Sequence, residues 1–483
     1  DLMAQKIKKG RILVYEPNLD LLSFVLSIAQ IDAIANDRVF IYNDESQFLD
    51  KINKITNHET TLSISFLNSY KNLFFYDIKK IFNKAQNILG EKIINHNTLI
   101  NKSEEAISYS TKNLVNIIKN PPLDSIKNIY KGKTALILSA GPSLAKNLDL
   151  IKNNQDKFVV FAVNRVVNLL IENSICPNFV VNIESIDTLR QFRGIDTKKL
   201  CFILEGFTNP KIHALETKKT FNYLSCDNFL NPWIRECLKI DNNLKSIGTV
   251  TYSALSSACL MGFKKIILLG SDLAFQNGDC YSKTQGWYEE LECVLEGEEY
   301  LIKPKNYDKF LQSFKNDKTK LREYLNKLNK NLCTVVNEQG KLIPSRLDYS
   351  FYINHLSNFI LNHKNIDFIN CSKGGALIKG CSNIDFSQVV QKLEKIEKID
   401  LSNIKTNYDT VFIVKKIDST IEILNKFINS IDNTKNYYQF KDNLILKPFI
   451  YKLLNSDSEK TRIKKSIEEI INNLTNCKSF IVQ

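Results

Sequence analysis

Between residues 134 and 372 the chain alternates short, continuously apolar runs with helical stretches, and this alternation restricts the fold more than any other feature. The runs are TALILSA (134–140), KFVVFAV (157–163), NFVVNIE (178–184), KLCFILE (199–205), KTFNYLS (219–225), KKIILLG (264–270) and IDFINCS (366–372). Strands that are apolar at every position have both faces covered, which requires helices on either side of a mostly parallel sheet. The expected fold is therefore α/β, with a central Rossmann-like domain. Ligands of such sheets bind beyond the carboxyl ends of the strands, so the residues that follow each run carry the functional information.

The flanks differ in pattern. RILVYEPNLDLLSFVLSIAQI and DRVFIYNDESQFLDKI each suggest a strand followed by a helix, and residues 74–119 have a helical period up to Asn120-Pro121-Pro122, where a proline pair ends helices. A small N-terminal α/β module is expected over 1–120 and the Rossmann-like domain over 121–385. Residues 278–332 interrupt the alternation and read as an inserted, acceptor-facing element or lid. Apolar residues at helical spacing, as in VVQKLEKIEKI and RIKKSIEEIINNL, predict a helical domain over 386–483.

Composition narrows the function classes. The formal charge is +13, but lysine is spread along the chain together with asparagine and isoleucine, so no nucleic-acid partner is implied. A net positive field still favours anionic small substrates. No stretch reaches the roughly 18 apolar residues of a membrane span, and the start of the chain lacks the order of a signal peptide. Eleven cysteines occur singly, without CxxC pairs, which fits a reducing cytoplasm better than a disulfide framework or a zinc knuckle. There is no Asp-x-Asp pair and no HExxH motif, so a metal-independent site is expected.

Two nucleotide signatures are excluded. Gly132-Lys133-Thr134 imitates the end of a Walker loop, but Lys127 stands where its first glycine belongs and a strand follows; GxGxxG follows none of the runs. What does follow them is polar. After the first run comes Ser139-Ala140-Gly141-Pro142-Ser143, read either as a serine-capped strand-to-helix turn or as a backbone loop that approaches an anion. Asn164 follows the second run and Glu184 ends the third. Gly248-Thr249-Val250-Thr251-Tyr252-Ser253 places the hydroxyls of Thr249, Thr251 and Ser253 at a helix start, where phosphate is favoured. Ser271 and Asp272 follow the most apolar run, and a carboxylate there costs desolvation unless it is partnered or used. The last run ends in Cys371-Ser372-Lys373-Gly374-Gly375, with Lys379 nearby, either a flexible turn or a further loop of backbone donors.

In this order, AGPSL, NRVVNLLIENSICPNFVVNIE, GTVTYSALSSACLMGFKKIILLGSDLAF and INCSKGGALIKG resemble the core of the motility-associated factor (Maf) family of bacterial flagellin glycosyltransferases, itself similar to bacterial sialyltransferases. The resemblance covers about residues 120–385. It implies transfer of a nonulosonic acid, such as pseudaminic or legionaminic acid, from its CMP donor to Ser or Thr hydroxyls of flagellin in the cytoplasm, with no cofactor. On this chain Gly141, Pro142 and Ser143 would hold CMP, Asn164 and Glu184 would line the donor site, and Thr249, Thr251, Ser253, Ser271 and Asp272 would surround the phosphate and sugar. Many relatives carry a histidine where this chain has Tyr281, so Tyr281 is expected as a donor to the leaving phosphate and Asp272, or His355, as the general base. Related sequences have also been grouped with archaeal hydroxymethylpterin diphosphokinases, which use ATP and Mg²⁺. A third reading is a flagellin-binding assembly factor without activity.

Overall fold

The computed structural model describes residues 10–28, 38–56, 60, 62–63, 65, 70, 74–226, 230–279, 291–297, 299–397, 399–432, 436, 438–443, 445–455 and 457–483. The chain divides into two compact units, Asp1–Ser103 and Glu104–Gln483. In the first, β1 (Ile12–Tyr15) and β2 (Val39–Tyr42) pair in parallel, with Ile12 opposite Val39, and are followed by α1 (Leu19–Ile28) and α2 (Glu45–Ile55) respectively. Asp44 caps α2 by accepting from the Gln47 amide at 2.8 Å, which satisfies one of the donors a helix start leaves open. The long helix α3 (Phe75–Lys119) contains the division between the units.

The second unit is built on one sheet. Its strands are β3 (Thr134–Leu138), β4 (Val159–Val163), β5 (Phe179–Asn182), β6 (Cys201–Glu205), β7 (Lys219–Tyr223) and β8 (Lys265–Leu269), with β13 (Asp367–Asn370) and the short β14 (Ser382–Asn383) further along the chain. Each of the seven apolar runs forms a strand of this sheet, and of its strands β14 alone was not anticipated. The spatial order is β14-β13-β8-β3-β4-β5-β6-β7, and every pairing is parallel. Residues such as Leu136, Val160, Val180, Phe202 and Ile267 have no exposed surface. Burial of that kind contributes about 1.5–3 kcal/mol per large apolar side chain.

The chain builds outward from β3 to β7, then crosses back through α4 (Asn231–Leu238) and α5 (Val250–Leu260) to lay β8 on the other side of β3. The strand order therefore reverses between β3 and β8, and a crevice opens beyond their carboxyl ends.

The interruption expected over 278–332 contains an antiparallel pair, β9 (Leu291–Glu296) with β10 (Glu299–Pro304), and two helices, Tyr307–Ser313 and Lys318–Lys330. A second antiparallel pair, β11 (Leu332–Val336) with β12 (Leu342–Arg346), leads into α6 (Leu347–Leu361). This region has its own small core around Phe310, Leu321 and Ile302. The helices α7 (Thr410–Ser430), α8 (Lys447–Asn455) and α9 (Lys460–Val482) share a core with the end of α3 and with α4, through Leu114, Ile234, Ile417, Phe449 and Ile467.

Candidate functional site

Beyond the β3/β8 reversal lies a cavity whose wall is made by strand ends. Ser139, Ala140 and Gly141 line it from the end of β3, Asn164 and Arg165 from the end of β4, and Glu184 from beyond β5. Gly270 and Ser271 follow β8, and Gly248, Thr249, Val250 and Thr251 bring in the first turn of α5. Several strand ends thus converge on one mouth.

The floor is a set of hydroxyls at the reversal. Ser139 Oγ lies 2.9 Å from Thr251 Oγ1, and Ser271 Oγ donates to Ser139 Oγ at 3.2 Å. The Ser271 amide donates to Ser372 Oγ at 2.9 Å, so the loop after β13 supports the same floor. Thr249 is the N-cap residue of α5, but its side chain makes no capping hydrogen bond. The first turn of α5 thus presents backbone N–H groups and the positive end of the helix dipole to a cavity lined with hydroxyls, a favourable seat for a phosphate.

Behind the wall, Ser143 Oγ donates to Asp272 Oδ2 at 2.8 Å, and the Ser143 amide reaches the same oxygen at 3.3 Å. Gln276 Nε2 donates to Asp272 Oδ1 and to the Lys373 carbonyl. The Gly270 amide donates to Ser143 Oγ at 3.2 Å, and Ala376 N to Asp272 O at 2.7 Å. Three loops, after β3, β8 and β13, are thereby tied together at one residue, Asp272, which is 1% exposed. Burial pushes the Asp272 carboxyl up to about 6, against the pull of its Ser143 and Gln276 hydrogen bonds.

Glycine is required where the loops meet that carboxylate. A Cβ on Gly141 would sit 1.9 Å from Asp272 Oδ2, and one on Gly375 would sit 2.7 Å from Asp272 Cα.

The expected site residues therefore sort into two layers. Ser139, Gly141, Asn164, Glu184, Thr249, Thr251 and Ser271 line the cavity, whereas Ser143, Asp272 and Gly375 belong to the packed layer behind it, and Gly374 lies partly exposed beside Gln276. Pro142 opens the short turn that carries Ser143. Ser253 is fully buried inside α5. Lys379 is exposed, and its amide donates to Ser357 Oγ. Tyr281 lies outside the described residues. His355 packs its ring 4.2 Å from that of Phe351 and is not among the residues lining the cavity.

The same helix does reach the cavity, one turn earlier. Asp348, Tyr349 and Tyr352 of α6 line it, and sequence reasoning missed all three. Arg346 holds Asp348 in a two-pronged ion pair, Nε to Oδ1 at 3.0 Å and Nη2 to Oδ2 at 2.6 Å, and lies over the Tyr349 ring. Burial, reinforced by the Asp348 and Glu184 carboxylates, pushes the Tyr352 phenol up to about 12. Thr188 and Gln191 complete the β5 side. Gln191 accepts from Asn164 at 2.8 Å, and Thr188 accepts from Asn182 at 2.9 Å. The cavity thus combines a hydroxyl and amide floor with one arginine, two carboxylates and two tyrosines. Among the described residues no cluster of three or more His, Cys, Asp or Glu is arranged to hold a metal ion, and no helix is long and apolar enough to cross a membrane.

A doubly wound parallel sheet with a cavity at its strand-order reversal defines the class as a Rossmann-like α/β protein. Within that class the chain has the fold of a Maf glycosyltransferase. The solved structure of the Maf glycosyltransferase from Magnetospirillum magneticum AMB-1 superimposes with a TM-score of 0.54, covering 98% of this chain and 75% of that one at 12% sequence identity. Residues 108–278, from the end of α3 through Asp272, match the family described as 6-hydroxymethylpterin diphosphokinase MptE-like. No curated protein matches the chain.

Proposed function

We propose that the protein is a glycosyltransferase that moves a nonulosonic acid, of the pseudaminic or legionaminic type, from its CMP donor to Ser or Thr hydroxyls of flagellin in the cytoplasm, without a metal. The observation that carries this reading is the joining of Ser139, Thr251 and Ser271 at the first turn of α5, on the β3/β8 reversal. The likeness of the fold to a Maf glycosyltransferase supports it.

A CMP-linked keto-sugar departs through an oxocarbenium-like state, so catalysis depends most on donors aimed at the leaving phosphate. The floor hydroxyls and the α5 amides supply them, with Arg165 on the β4 side. The acceptor hydroxyl must also lose a proton. With Asp272 enclosed behind the loops, the carboxylates on the cavity wall, Glu184 and Asp348, are the groups in place to take it. The inserted region over 278–332 faces the acceptor in this reading.

Titration calorimetry with CMP, UMP and AMP tests the donor assignment. CMP is expected to bind, and binding of AMP alone counts against it.

The family match over residues 108–278 favours a second reading, a hydroxymethylpterin diphosphokinase that binds ATP and Mg²⁺ in the same cavity. Release of AMP with a pterin diphosphate, dependent on Mg²⁺, distinguishes it. Flagellin binding without turnover of any donor identifies an inactive assembly factor.

A further inference from the structure

Away from the cavity, at the carboxyl end of β6, a carboxyl group is sealed in the protein. Glu205 has no exposed surface, and neither has Asn231, at the start of α4. Asn231 Nδ2 donates to Glu205 Oε1 and, at 3.0 Å, to Ser225 Oγ. Glu205 Oε1 also receives the Gly206 amide at 3.2 Å and the Ser225 amide at 3.3 Å. The other oxygen of each group, Glu205 Oε2 and Asn231 Oδ1, is buried with no hydrogen-bond partner among the described residues.

Two buried acceptors left without donors, on two groups already joined by one hydrogen bond, have a simple chemical resolution. An orphaned buried polar atom costs about 1–3 kcal/mol, and an ionised carboxylate with one bare oxygen costs more. One proton on Glu205 Oε2 turns that oxygen into a donor and Asn231 Oδ1 into its acceptor. Both orphans are satisfied at once.

We propose that Glu205 is a neutral carboxylic acid that shares its proton with Asn231 Oδ1, closing an acid–amide pair that positions the loop behind Glu184. That loop, residues 206–209, braces the chain after β5. Thr208 Oγ1 donates to Asn182 O at 3.0 Å, Asn209 N to Glu184 O at 3.0 Å, and Asn209 Nδ2 to Ser185 O at 2.9 Å. Asn113 of α3 holds it from the other side, donating to Gly206 O at 3.0 Å and Thr208 O at 2.7 Å. Glu205 is thus a positioning residue, acting on the cavity wall through this loop.

The surrounding titratable and charged groups do not favour a carboxylate here. His213 Nε2 lies 3.0 Å from Glu205 O, and burial pushes its imidazole down to about 4. Tyr223, opposite Glu205 on β7, has its phenol pushed far up by burial. Arg235 of α4 spends its guanidinium on Leu224 O and Asn242. Burial raises the Glu205 carboxyl to about 7, against hydrogen bonds from Asn231, Ser225 and Gly206. A raised carboxyl contributes stability that is complete below its ordinary value of 4.5 and is lost as pH rises to about 7.

The test uses the full chain and the variants Glu205→Gln, Glu205→Ala and Asn231→Ala. Glutamine keeps the shape and supplies the missing donor without a titrating proton. Glu205→Gln is expected to fold normally and to lack a loss of roughly a hundredfold in the folding equilibrium constant that the parent shows between pH 4.5 and 7. Its infrared difference spectrum against the parent at pH 5 should show the loss of one protonated-carboxyl band. Hydrogen exchange at the amides of residues 182–186 should stay at the parent rate in Glu205→Gln and quicken in Asn231→Ala and Glu205→Ala. If Glu205→Ala does not fold, the glutamine variant still decides. A parental pH dependence in Glu205→Gln, or no carboxyl band lost, overturns the proposal, as does exchange at 182–186 that is as fast in Glu205→Gln as in Asn231→Ala.

Discussion

Ser143 Oγ donates to Asp272 Oδ2 across 2.8 Å, fastening the loop that leaves β3 to the loop that leaves β8. These are the two strands between which the sheet order reverses, so the bond fixes the width of the crevice. It also gives the Gly-Pro-Ser turn a mechanical role. Proline starts the turn, glycine lets it pass against the carboxylate, and serine locks it there.

Removing the lock should loosen the site before it unfolds the protein. Ser143→Ala leaves Asp272 short of one donor and the Gly270 amide without the hydroxyl it now meets. A loss of about 1–3 kcal/mol in stability is expected from chemical denaturation. Transfer activity should fall by more than that loss explains, with the larger change in the KM for the donor.

Asp272 should leave a signature in pH. Its carboxyl is raised to about 6, so its contribution to stability is complete below the ordinary value of 3.8 and is lost as pH rises to about 6. The fall in stability across that window should amount to about 2–3 kcal/mol and be absent in Asp272→Asn. Denaturation curves between pH 3.5 and pH 7 check this.

The glycines allow a sharper steric test. Gly141→Ala would drive a methyl group to 1.9 Å from Asp272 Oδ2 and 2.5 Å from Gly270 O, contacts that cannot relax without moving a strand end. A destabilisation of about 3 kcal/mol or more is expected, with loss of nucleotide binding. At Gly248 an added Cβ meets nothing within 4 Å, and φ is +77°, so Gly248→Ala should pay only for backbone strain, about 1–2 kcal/mol. Thermal melts of the two variants side by side separate contact from strain.

The architecture was legible because the central strands of the parallel sheet are apolar over most of their length, as in ALIL (135–138), VVFAV (159–163) and IILL (266–269), a signal that survives in a single sequence. β14 escaped because Ser382–Asn383 is two exposed residues at the sheet edge. The β3, β4, β5 and β8 sides of the site were legible for the same reason, since polar residues just past an apolar strand stand out. Residues of α6 were not. Asp348, Tyr349 and Tyr352 reach the cavity only because the inserted region returns the chain over the strand ends, and nothing local in RLDYSFY encodes that return. The histidine on that helix drew attention by its chemistry, but it lies beyond the part that lines the cavity. Asp272 was found for a sound reason, its cost of desolvation, but the structure meets that cost with partners in the fold.

The wall carboxylates should separate chemistry from stability. Glu184→Gln and Asp348→Asn change charge at the cavity without opening the packed layer; Glu184→Gln should alter stability by no more than about 0.5 kcal/mol, and Asp348→Asn, which breaks the two-pronged pair with Arg346, should cost about 1–3 kcal/mol. Whichever of the two accepts the acceptor proton should lose about 10²–10⁴ in kcat when neutralised, while donor affinity stays within a few-fold. Steady-state kinetics on both variants assigns the role.

The central claim is tested most directly by incubating the purified protein with flagellin and CMP-activated pseudaminic or legionaminic acid, in EDTA, and reading the intact mass of flagellin. A mass increase of one or more nonulosonic acid residues, matched by released CMP, is the predicted result. Unchanged flagellin with every CMP donor, together with Mg²⁺-dependent release of AMP from ATP and a hydroxymethylpterin, would contradict it.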